Sequence, residues 1–422
     1  MITSHFNKNR NDQDPSQPLR FAFWTVRPDI VLDNLGRYAR ANSENLEPMP
    51  IDGSYETALA SAWSSGRGPH VFYAQRAEAA MWAAEGRIEP LPEDDPRLRS
   101  TLARMDPRLV AGARDRRGRL LGLTYYNAGP FALVLNQDLV PAGEMPSIQG
   151  WSDVLALCRH LKCGKACTFP FLPRWHATQT GLAWSFLCHL ASEGVLAADH
   201  ADRRSITEEL LTIWRALVDE ELVPPEALQD QGDSPAVLRW RTREHALAFT
   251  MDYLFADFIG QEACPAFSIP APQLPGRTGT PLLPGQALLC IAAGLSPDLG
   301  DRALRLVRTL GGEDHEGELF VHQRWISECL FPVPFPELYW DAQVRASARR
   351  FFPPVAASEA VDRLFAARLQ AVPSPMTHVP WALEWSARLD SIIRQDVLTS
   401  RRATPQGAAA AIWDLWDDLA RT

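Results

Sequence analysis

The sequence predicts an α/β protein with two lobes. In the first third of the chain, short apolar segments alternate with helical patterns at close spacing, which is typical of a parallel sheet with crossover helices. Residues 119–136 form an extended apolar run that breaks at a polar, glycine-bearing segment and then resumes, as expected where a strand crosses between lobes. With 422 residues, of which 46% are apolar, the chain is long enough to bury a core in each lobe.

Composition excludes several broad classes of protein. The 42 Lys and Arg residues against 51 Asp and Glu residues give a formal charge of −9. Such a chain lacks the basic surface that a general nucleic-acid binder or a charge-driven membrane-surface protein uses. No apolar run reaches the roughly 18 residues that a membrane span needs. We therefore expect no nucleic-acid partner and no direct insertion into a membrane.

The two ends of the chain differ in character. Residues 1–19 are polar and predict a disordered lead-in, without the apolar core of a secretory signal peptide. We expect either an export signal upstream of this sequence or a cytoplasmic protein. Near the other end, Pro405 precedes an apolar stripe at helical spacing that includes Ile412 and Trp413, which predicts a docked final helix.

Strands and helices follow in order from residue 21. Strands are predicted at 21–24, 46–51 and 70–73, with helices around 30–38 and at 57–64 between them. In a parallel α/β sheet, ligands bind outside the carboxyl ends of the strands. Trp24, Asp52 and Tyr73 lie at those three ends, which makes them candidate ligand-binding residues.

The remaining two thirds of the chain continue the alternation. Beyond the interrupted run at 119–136, with its break at 126–129, we predict helices at 151–161, 177–192, 206–219 and 301–310 and strands at 166–171, 246–250 and 286–293. Two proline-rich connections lie at 264–284 and 331–336. The first of these predicts a loop or crossover without regular elements.

In this order, the segments resemble the extracellular solute-binding proteins of bacterial ABC importers, in the carbohydrate-binding branch that includes maltose-binding protein. The resemblance spans about residues 20–420. It rests on FAFW, IDGSYETALASAWSSGRGPHVFYA, GRIEPL, LGLTYYNAGPFALVLNQDLV, WSDVLALCRHLK, HALAFTMDYLF, GQALLCIAAGLSP and TPQGAAAAIWDLWDDL. Each segment is degenerate, and their number and order identify the fold.

The resemblance implies a two-lobed periplasmic-binding-protein fold with a ligand cleft between the lobes. Lobe one would comprise residues 20–126 and 285–328, and lobe two residues 128–278 and 330–422. Hinge crossings would lie near 125–129, 278–285 and 329–335. The resemblance also implies a monomeric, non-enzymatic protein without a cofactor, which hands its ligand to an inner-membrane ABC permease.

Nine residues match segments that line the ligand cleft in this family. Sugars combine apolar ring faces with dense hydroxyl edges, so their sites pair aromatic side chains with carboxylates and amides. The candidates are Trp24, Asp52, Tyr73, Asn127, Trp175, Asp252, Tyr253, Gln286 and Trp381. The alternative for Trp24 and Tyr73 is packing on lobe one. Core positions are predicted for the tryptophans in helical patterns, Trp63, Trp82, Trp151, Trp184, Trp214, Trp413 and Trp416.

The seven cysteines predict no metal site. Cys158, His160, Cys163 and Cys167 fall within ten residues, but their spacing differs from the paired short Cys loops of zinc sites. We interpret the cysteines as free thiols, with a local Cys163–Cys167 disulfide as the alternative in an exported protein. The sequence also lacks the common hydrolase, P-loop and zinc-protease motifs.

The predicted function is that of a periplasmic receptor that binds a sugar or small oligosaccharide for import. A glycerophosphodiester or a polyamine is an alternative ligand, and would need a cationic or a strongly acidic cleft respectively. The alternative from another class is a cytoplasmic ligand sensor, or a minor enzyme, with the same fold. The missing leader and the free cysteines favour that alternative.

Overall fold

The protein is described from a computed structural model. It covers residues 17–127, 129–140, 148–177, 181–196, 202–259, 267–268, 274–283, 285–352, 354, 357–374, 379 and 381–421. The chain divides into unit 1, formed by Met1–Tyr126 and Gln286–Gln323, and unit 2, formed by Asn127–Gly285 and Arg324–Thr422. Residues 1–16 of the predicted lead-in lie outside the described residues.

The sheet of unit 1 places the carboxyl ends of three parallel strands along one edge. Its strand order is β2 (Leu46–Ile51), β1 (Leu19–Trp24), β3 (Val71–Gln75), β11 (Gln286–Ala292) and β4 (Ile88–Glu89), and β5 (Leu123–Asn127) also pairs with β11. As predicted, β1 runs parallel to β2 and β3.

The predicted strand at 286–293 is present as β11, and its direction differs from that of β1, β2 and β3. This strand is antiparallel to both β3 and β4. It enters the sheet after the chain returns from unit 2, and not through the crossover helix that keeps successive strands parallel.

Helices cover the sheet of unit 1, and their ends follow ordinary capping rules. They are α1 (Pro28–Asn42), α2 (Tyr55–Ser64), α3 (Arg76–Ala84), α4 (Pro96–Arg104), α5 (Pro107–Gly112), α11 (Pro297–Gly311) and the first part of α12 (Phe320–Cys329). Pro28 opens α1, where its missing N–H has no partner to lose. Asp95 caps α4 by accepting a hydrogen bond from the Leu98 amide at 2.8 Å.

Unit 2 contains a smaller mixed sheet. Its order is β7 (Phe171–Pro173), β8 (Leu247–Met251), β6 (Phe131–Asn136) and β9 (Phe267–Ser268). β7 and β8 are parallel, whereas β6 is antiparallel to β8 and to β9. The carboxyl ends of β7 and β8 therefore share an edge with the start of β6.

Two predictions for this region are wrong. The strand predicted at 166–171 begins only at Phe171, because Lys165 adopts a φ of 57° after helix α6 (Trp151–Cys163) and the chain turns before it extends. The segment 264–284 contains short strands, β9 and β10 (Leu282–Leu283), the second of which pairs with β12 (Val372–Pro373). Ladders of two residues are too short to produce a recognisable pattern of alternation. The rest of that prediction falls partly outside the described residues.

The helices of unit 2 form a larger layer. They are α6, α7 (Gly181–Ser192), α8 (Arg203–Asp219), α9 (Ser234–Arg241), α10 (Phe255–Ile259), α13 (Ala342–Arg349), α14 (Ala357–Gln370), α15 (Ala382–Ser391) and α16 (Pro405–Arg421). Short 3-10 helices span Pro225–Leu228, Asp252–Leu254 and Pro336–Tyr339, and a π-helix spans Ile392–Thr399. Across the described residues, the helices are too short or too polar to cross a membrane.

Most of the tryptophans predicted to be core residues are buried. Trp82, Trp151, Trp214 and Trp413 are each less than 5% exposed. Trp63, Trp184 and Trp416 are half-buried. The Trp413 indole donates a hydrogen bond to Thr207 Oγ1 at 2.8 Å, which ties the final helix to α8 as predicted for a docked helix.

A buried ion pair holds several segments of unit 2 together. Arg368 on α14 donates to Asp252 Oδ2 at 2.6 Å, and each side chain is only 1% exposed. Arg368 also donates to the Leu330 carbonyl. Gly129 lies against the pair with a φ of 76°, and a Cβ there would come 1.7 Å from Asp252 Oδ1. Burial of the Asp252 carboxylate therefore depends on the positive charge of Arg368 and on the absence of a side chain at Gly129.

We expect Arg368→Met to lower the free energy of unfolding by about 3–5 kcal/mol, because it leaves a buried carboxylate without its counter-charge. Chemical denaturation followed by tryptophan fluorescence measures the change. The matched control is Arg363→Met on the same helix, whose ion pair with Glu359 is partly exposed and should contribute less than about 1 kcal/mol. Equal losses in both variants would show that the buried pair has no special role.

Candidate functional site

In unit 1, the edge formed by the carboxyl ends of β1 and β2 brings two of the predicted residues together. Trp24 is the last residue of β1 and lies opposite Ile51, so Asp52 follows directly beside it. Thr25 Oγ1 donates a hydrogen bond to Asp52 Oδ1. Trp24 is half-buried and Asp52 is exposed, so an aromatic ring and a carboxylate are both accessible at this edge.

Trp24 belongs to an aromatic cluster that fixes its ring. Its centroid lies 5.2 Å from the Tyr55 ring and 5.0 Å from the Tyr73 ring, both in edge-to-face geometry. Its indole N–H donates to the Tyr126 hydroxyl. Contacts of this kind restrict the rotamers of a large side chain before any ligand arrives. Trp24 is therefore a preorganised aromatic surface.

Three other predicted residues of this region have interior positions. Tyr73 is 0% exposed and packs against Phe21 and Tyr125, which corresponds to the packing alternative. Gln286 is 4% exposed, and its amide donates to the Leu109 carbonyl at 2.9 Å. Asn127 is 3% exposed, and its backbone N–H donates to the Pro332 carbonyl at 2.9 Å. All three side chains are buried in this structure.

Two charged residues at the end of β3 were not among the candidates. Arg76 and Glu78 open helix α3 and are almost completely buried. Glu78 Oε2 accepts the Gln75 N–H at 2.7 Å, which caps the helix. Burial raises the pKa of Glu78 to about 8, and the nearby Glu56 carboxylate adds to the rise. Burial lowers the pKa of Arg76 to about 10.

In unit 2, the edge at the ends of β7 and β8 is organised by a second charge network. Arg174 follows β7, and its Nε donates to Asp233 Oδ1 at 2.6 Å. The hydroxyl of Tyr253, which follows β8, donates to Asp233 Oδ2 at 2.5 Å. His176 Nε2 lies 3.2 Å from the same carboxylate. Of these four residues, only Tyr253 was predicted from the sequence.

The Asp233 carboxylate remains ionised in this network. Burial acts to raise its pKa, but the positive charge of Arg174 and the hydrogen bonds from Arg174 and His176 outweigh it and hold the pKa well below the ordinary range. Asp233 stands at the start of helix α9, yet its carboxylate does not cap that helix. It instead fixes Arg174 and the Tyr253 hydroxyl at the strand ends.

The other predicted residues of unit 2 differ in accessibility. Trp175 is 1% exposed, and its ring packs against Trp214 with 4.6 Å between centroids. Asp252 is 0% exposed and is used by the ion pair with Arg368. Trp381 is half-buried and meets the Trp416 ring edge-on at 5.2 Å. Tyr253 and Trp381 are thus the two candidates here with accessible surface.

The missed residues had only a weak signal in the sequence. A correct end for β7 would have marked Arg174 as the first residue beyond a strand, because ligand-binding groups cluster there. Asp233 lies 59 residues from Arg174 along the chain, and no spacing rule links the two. Glu78 looks from sequence like an ordinary first-turn acid that supports a helix.

The structure describes six of the seven cysteines. Cys158, Cys163, Cys167, Cys188, Cys290 and Cys329 are free thiols, so the alternative Cys163–Cys167 disulfide is not formed. Burial raises the pKa of Cys167, which leaves its thiol protonated near neutral pH. The described residues contain no group of three His, Cys, Asp or Glu side chains that could hold a metal ion.

Comparison with known proteins identifies the fold. The chain matches no protein-family model and no curated protein sequence. It aligns with maltose-bound MalE3 of T. maritima at a TM-score of 0.75 and 16% identity, covering 95% of this chain and 99% of that one. It aligns with the ABC substrate-binding protein Lmo0181 of Listeria monocytogenes, in complex with cycloalternan, at 0.74 and 15%, covering 95% and 98%.

A third structure agrees. The GacH receptor of Streptomyces glaucescens, solved unliganded and with acarbose, aligns at a TM-score of 0.72 and 16% identity, covering 96% of this chain and 98% of that one. The chain therefore has the fold of the maltose- and oligosaccharide-binding proteins of ABC importers. The fold class predicted from the ordered sequence segments is confirmed.

The buried carboxyl of Glu78 predicts a pH dependence of stability. Because its folded-state pKa is raised, its contribution is complete below about pH 4.5 and is lost as the pH rises through about 8. We expect wild type to lose at least about 1.4 kcal/mol relative to Glu78→Gln across this range, the equivalent of one pKa unit. Urea denaturation at a series of pH values measures the difference.

The control for this series is Glu85→Gln on the neighbouring turn, where the carboxylate is largely exposed and pairs with Arg87. Wild type and this control should show the same pH profile. A profile of Glu78→Gln that runs parallel to wild type from pH 4.5 to 8.5 would contradict the assignment.

Proposed function

We propose that the protein is the substrate-binding protein of an ABC importer and that it binds a sugar or a small oligosaccharide. The observation that carries the proposal is the accessible Trp24 ring beside the Asp52 carboxylate, at the strand ends of a fold shared with proteins solved with maltose, cycloalternan and acarbose. Indole faces stack on apolar sugar faces, and carboxylates accept hydrogen bonds from sugar hydroxyls.

On unit 1, Trp24 and Asp52 are the residues proposed to contact the sugar. The Trp24 ring is held by Tyr55 and Tyr73, so little rotamer freedom is lost when it stacks. Asp52 is exposed and has a second carboxylate oxygen beyond the one that accepts from Thr25. These two groups supply the apolar and polar halves of sugar recognition.

On unit 2, Tyr253 and Trp381 are the residues proposed to contact the ligand. The Tyr253 hydroxyl donates to Asp233 and accepts from Arg174 at 3.5 Å, so the half-buried ring is held in place as an aromatic surface for a sugar. Trp381 is half-buried at the start of α15. Trp175, Asp252, Asn127, Tyr73 and Gln286 are buried in this structure, and the proposal does not depend on direct contact with them.

The proposed setting follows from the same fold. The matched proteins are described as binding proteins and receptors, which supports a non-enzymatic role. We infer that the protein acts outside the inner membrane as a monomer and passes its ligand to an ABC permease. Detection of the native protein only in the cytosol would contradict this setting.

A thermal-shift panel of mono- and oligosaccharides, polyol phosphates and polyamines tests the ligand class. A ligand that binds only the folded protein stabilises it by about 2.7 kcal/mol at one hundred times its Kd, which raises Tm by several degrees. We expect one sugar class to raise Tm in a saturable way. A panel in which no sugar changes Tm would contradict the proposal.

Replacing Trp24 tests its role directly. We expect Trp24→Ala to weaken binding of that sugar at least tenfold, about 1.4 kcal/mol, because the stacking surface is removed. Isothermal titration calorimetry measures the Kd. The control is Trp340→Ala, the same truncation at a tryptophan that is 70% exposed in unit 2. Unchanged affinity in a folded Trp24→Ala protein would remove Trp24 from the site.

A further inference from the structure

Unit 1 contains a cavity that none of the predicted sugar-binding residues line. It lies among α1, α4, α11 and the loop that leads into α12, and has a volume of about 470 Å³. Cavities of this size typically hold small organic molecules. Its apolar side includes Leu310, Phe320 and Val321. The cavity is therefore a separate feature from the strand edge that carries Trp24.

Four arginines line this cavity, and two of them already have acidic partners. Arg37 pairs with Asp33 at 2.9 Å and lies over the Phe320 ring. Arg308 pairs with Asp95 at 2.6 Å. These contacts neutralise both guanidinium groups. They also hold the arginines in the cavity wall.

The other two arginines, Arg97 and Arg305, have no such partner. Among the described residues, no carboxylate oxygen lies within 4.0 Å of either guanidinium. Both residues are exposed and both line the cavity, one from α4 and one from α11. In a chain with a formal charge of −9, two unneutralised arginines at one cavity form a local surplus of positive charge.

The acidic residues of the cavity pair with neither of these two arginines. Glu313 is paired with Arg104 at 2.6 Å. The Asp314 carboxylate accepts backbone N–H groups from Glu316 and Glu318 at 2.9 and 3.0 Å, so it stabilises the loop. Neither carboxylate is within ion-pair distance of Arg97 or Arg305 in the part of the chain that the structure describes.

A buried polar group points to the same place. Tyr38 lines the cavity and is 3% exposed, and its hydroxyl lies beside the Arg305 guanidinium without an acceptor for its own proton among the described residues. Burial raises its pKa, and the nearby Arg305 guanidinium acts in the opposite direction. A buried hydroxyl proton without an acceptor costs free energy, which a bound acceptor would recover.

We propose that this cavity is a second ligand-binding site, for a small organic phosphate monoester. Arg97 and Arg305 bind the phosphate, the Tyr38 hydroxyl donates to one of its oxygens, and the apolar side of the cavity contacts the organic group. A phosphate monoester carries about −1.5 to −2 charges near pH 7, which matches two guanidinium groups. Guanidinium groups also fit phosphate oxygens in bidentate geometry.

The volume favours an ester over the free ion. Inorganic phosphate would leave most of a 470 Å³ cavity and its apolar wall unoccupied. A nucleoside monophosphate and a sugar phosphate share the chemistry that the arginines recognise. Because none of the residues proposed for sugar recognition lines this cavity, its occupancy does not depend on the proposed function.

Calorimetric titration of the full-length protein tests the site. The probes are adenosine 5′-monophosphate and ribose 5-phosphate, each compared with its unphosphorylated parent and with inorganic phosphate. We expect saturable binding of at least one ester, competition by inorganic phosphate, and weaker binding as salt rises. The two esters distinguish a nucleotide from a sugar phosphate. Absence of saturable binding by both esters would overturn the proposal.

Charge-matched variants locate the binding. We expect Arg97→Gln/Arg305→Gln to weaken ester binding at least about tenfold, because two charge-assisted hydrogen-bond donors are removed. The control Arg99→Gln/Arg116→Gln makes the same charge change at exposed arginines of unit 1 outside the cavity, and should bind as wild type does. Equal affinities in the two double variants would overturn the proposal.

A third variant separates this proposal from the sugar-binding proposal. Trp24→Ala should retain ester affinity while it loses sugar affinity, and Arg97→Gln/Arg305→Gln should show the reverse. Loss of ester binding in Trp24→Ala with an unchanged Tm would place the ester at the strand edge, and would also overturn the second site.

Discussion

The Asp252–Arg368 ion pair is the constraint on which the arrangement of unit 2 depends. Both side chains are almost wholly buried, so their desolvation must be offset by the short contact between them, by the Arg368 donor to the Leu330 carbonyl and by the Tyr339 and Phe365 rings that face the guanidinium. Burial nevertheless raises the pKa of Asp252 to about 6. The pair fixes the end of β8, α14 and the chain at Leu330 relative to one another. It also requires Gly129, where a side chain has no room.

The two strand edges use charge in different ways. In unit 1, Asp52 is exposed and its partner is a hydroxyl, so the carboxylate is available for further hydrogen bonds. In unit 2, the Asp233 carboxylate accepts hydrogen bonds from Arg174 and Tyr253. These bonds orient the two side chains. A neutral polyhydroxylated ligand suits the chemistry of either edge taken by itself, because it needs oriented acceptors and donors and not a net charge. This agreement is the physical support for a sugar over a polyamine.

Local pattern predicted most of the fold, whereas long-range pairing was not predictable. Trp24 and Asp52 follow directly from strand ends, because the apolar runs before them have clear limits. Asp252 follows a strand equally clearly, but its ion-pair partner Arg368 lies 116 residues away along the chain. No spacing rule predicts that this carboxylate forms an internal ion pair. Arg174 was missed because the turn at Lys165 moves the start of β7 to Phe171, so the strand ends at Pro173 and not at the predicted residue 171. The antiparallel direction of β11 was likewise not predictable, because it is set by the path of the chain back from unit 2. The residues of the strand itself do not encode that path.

Unit 1 separates two kinds of chemistry by structural layer. Its strand edge presents an aromatic ring with a carboxylate, and its helical layer encloses guanidinium groups. In an acidic protein, carboxylates are abundant enough to pair with every arginine of a cavity, as Asp33 and Asp95 do for Arg37 and Arg308. Arg97 and Arg305 depart from that pattern at one place, beside the buried Tyr38 hydroxyl, whose proton has no acceptor among the described residues. A bound anion accounts for both features, because it supplies the missing charge and the missing acceptor together.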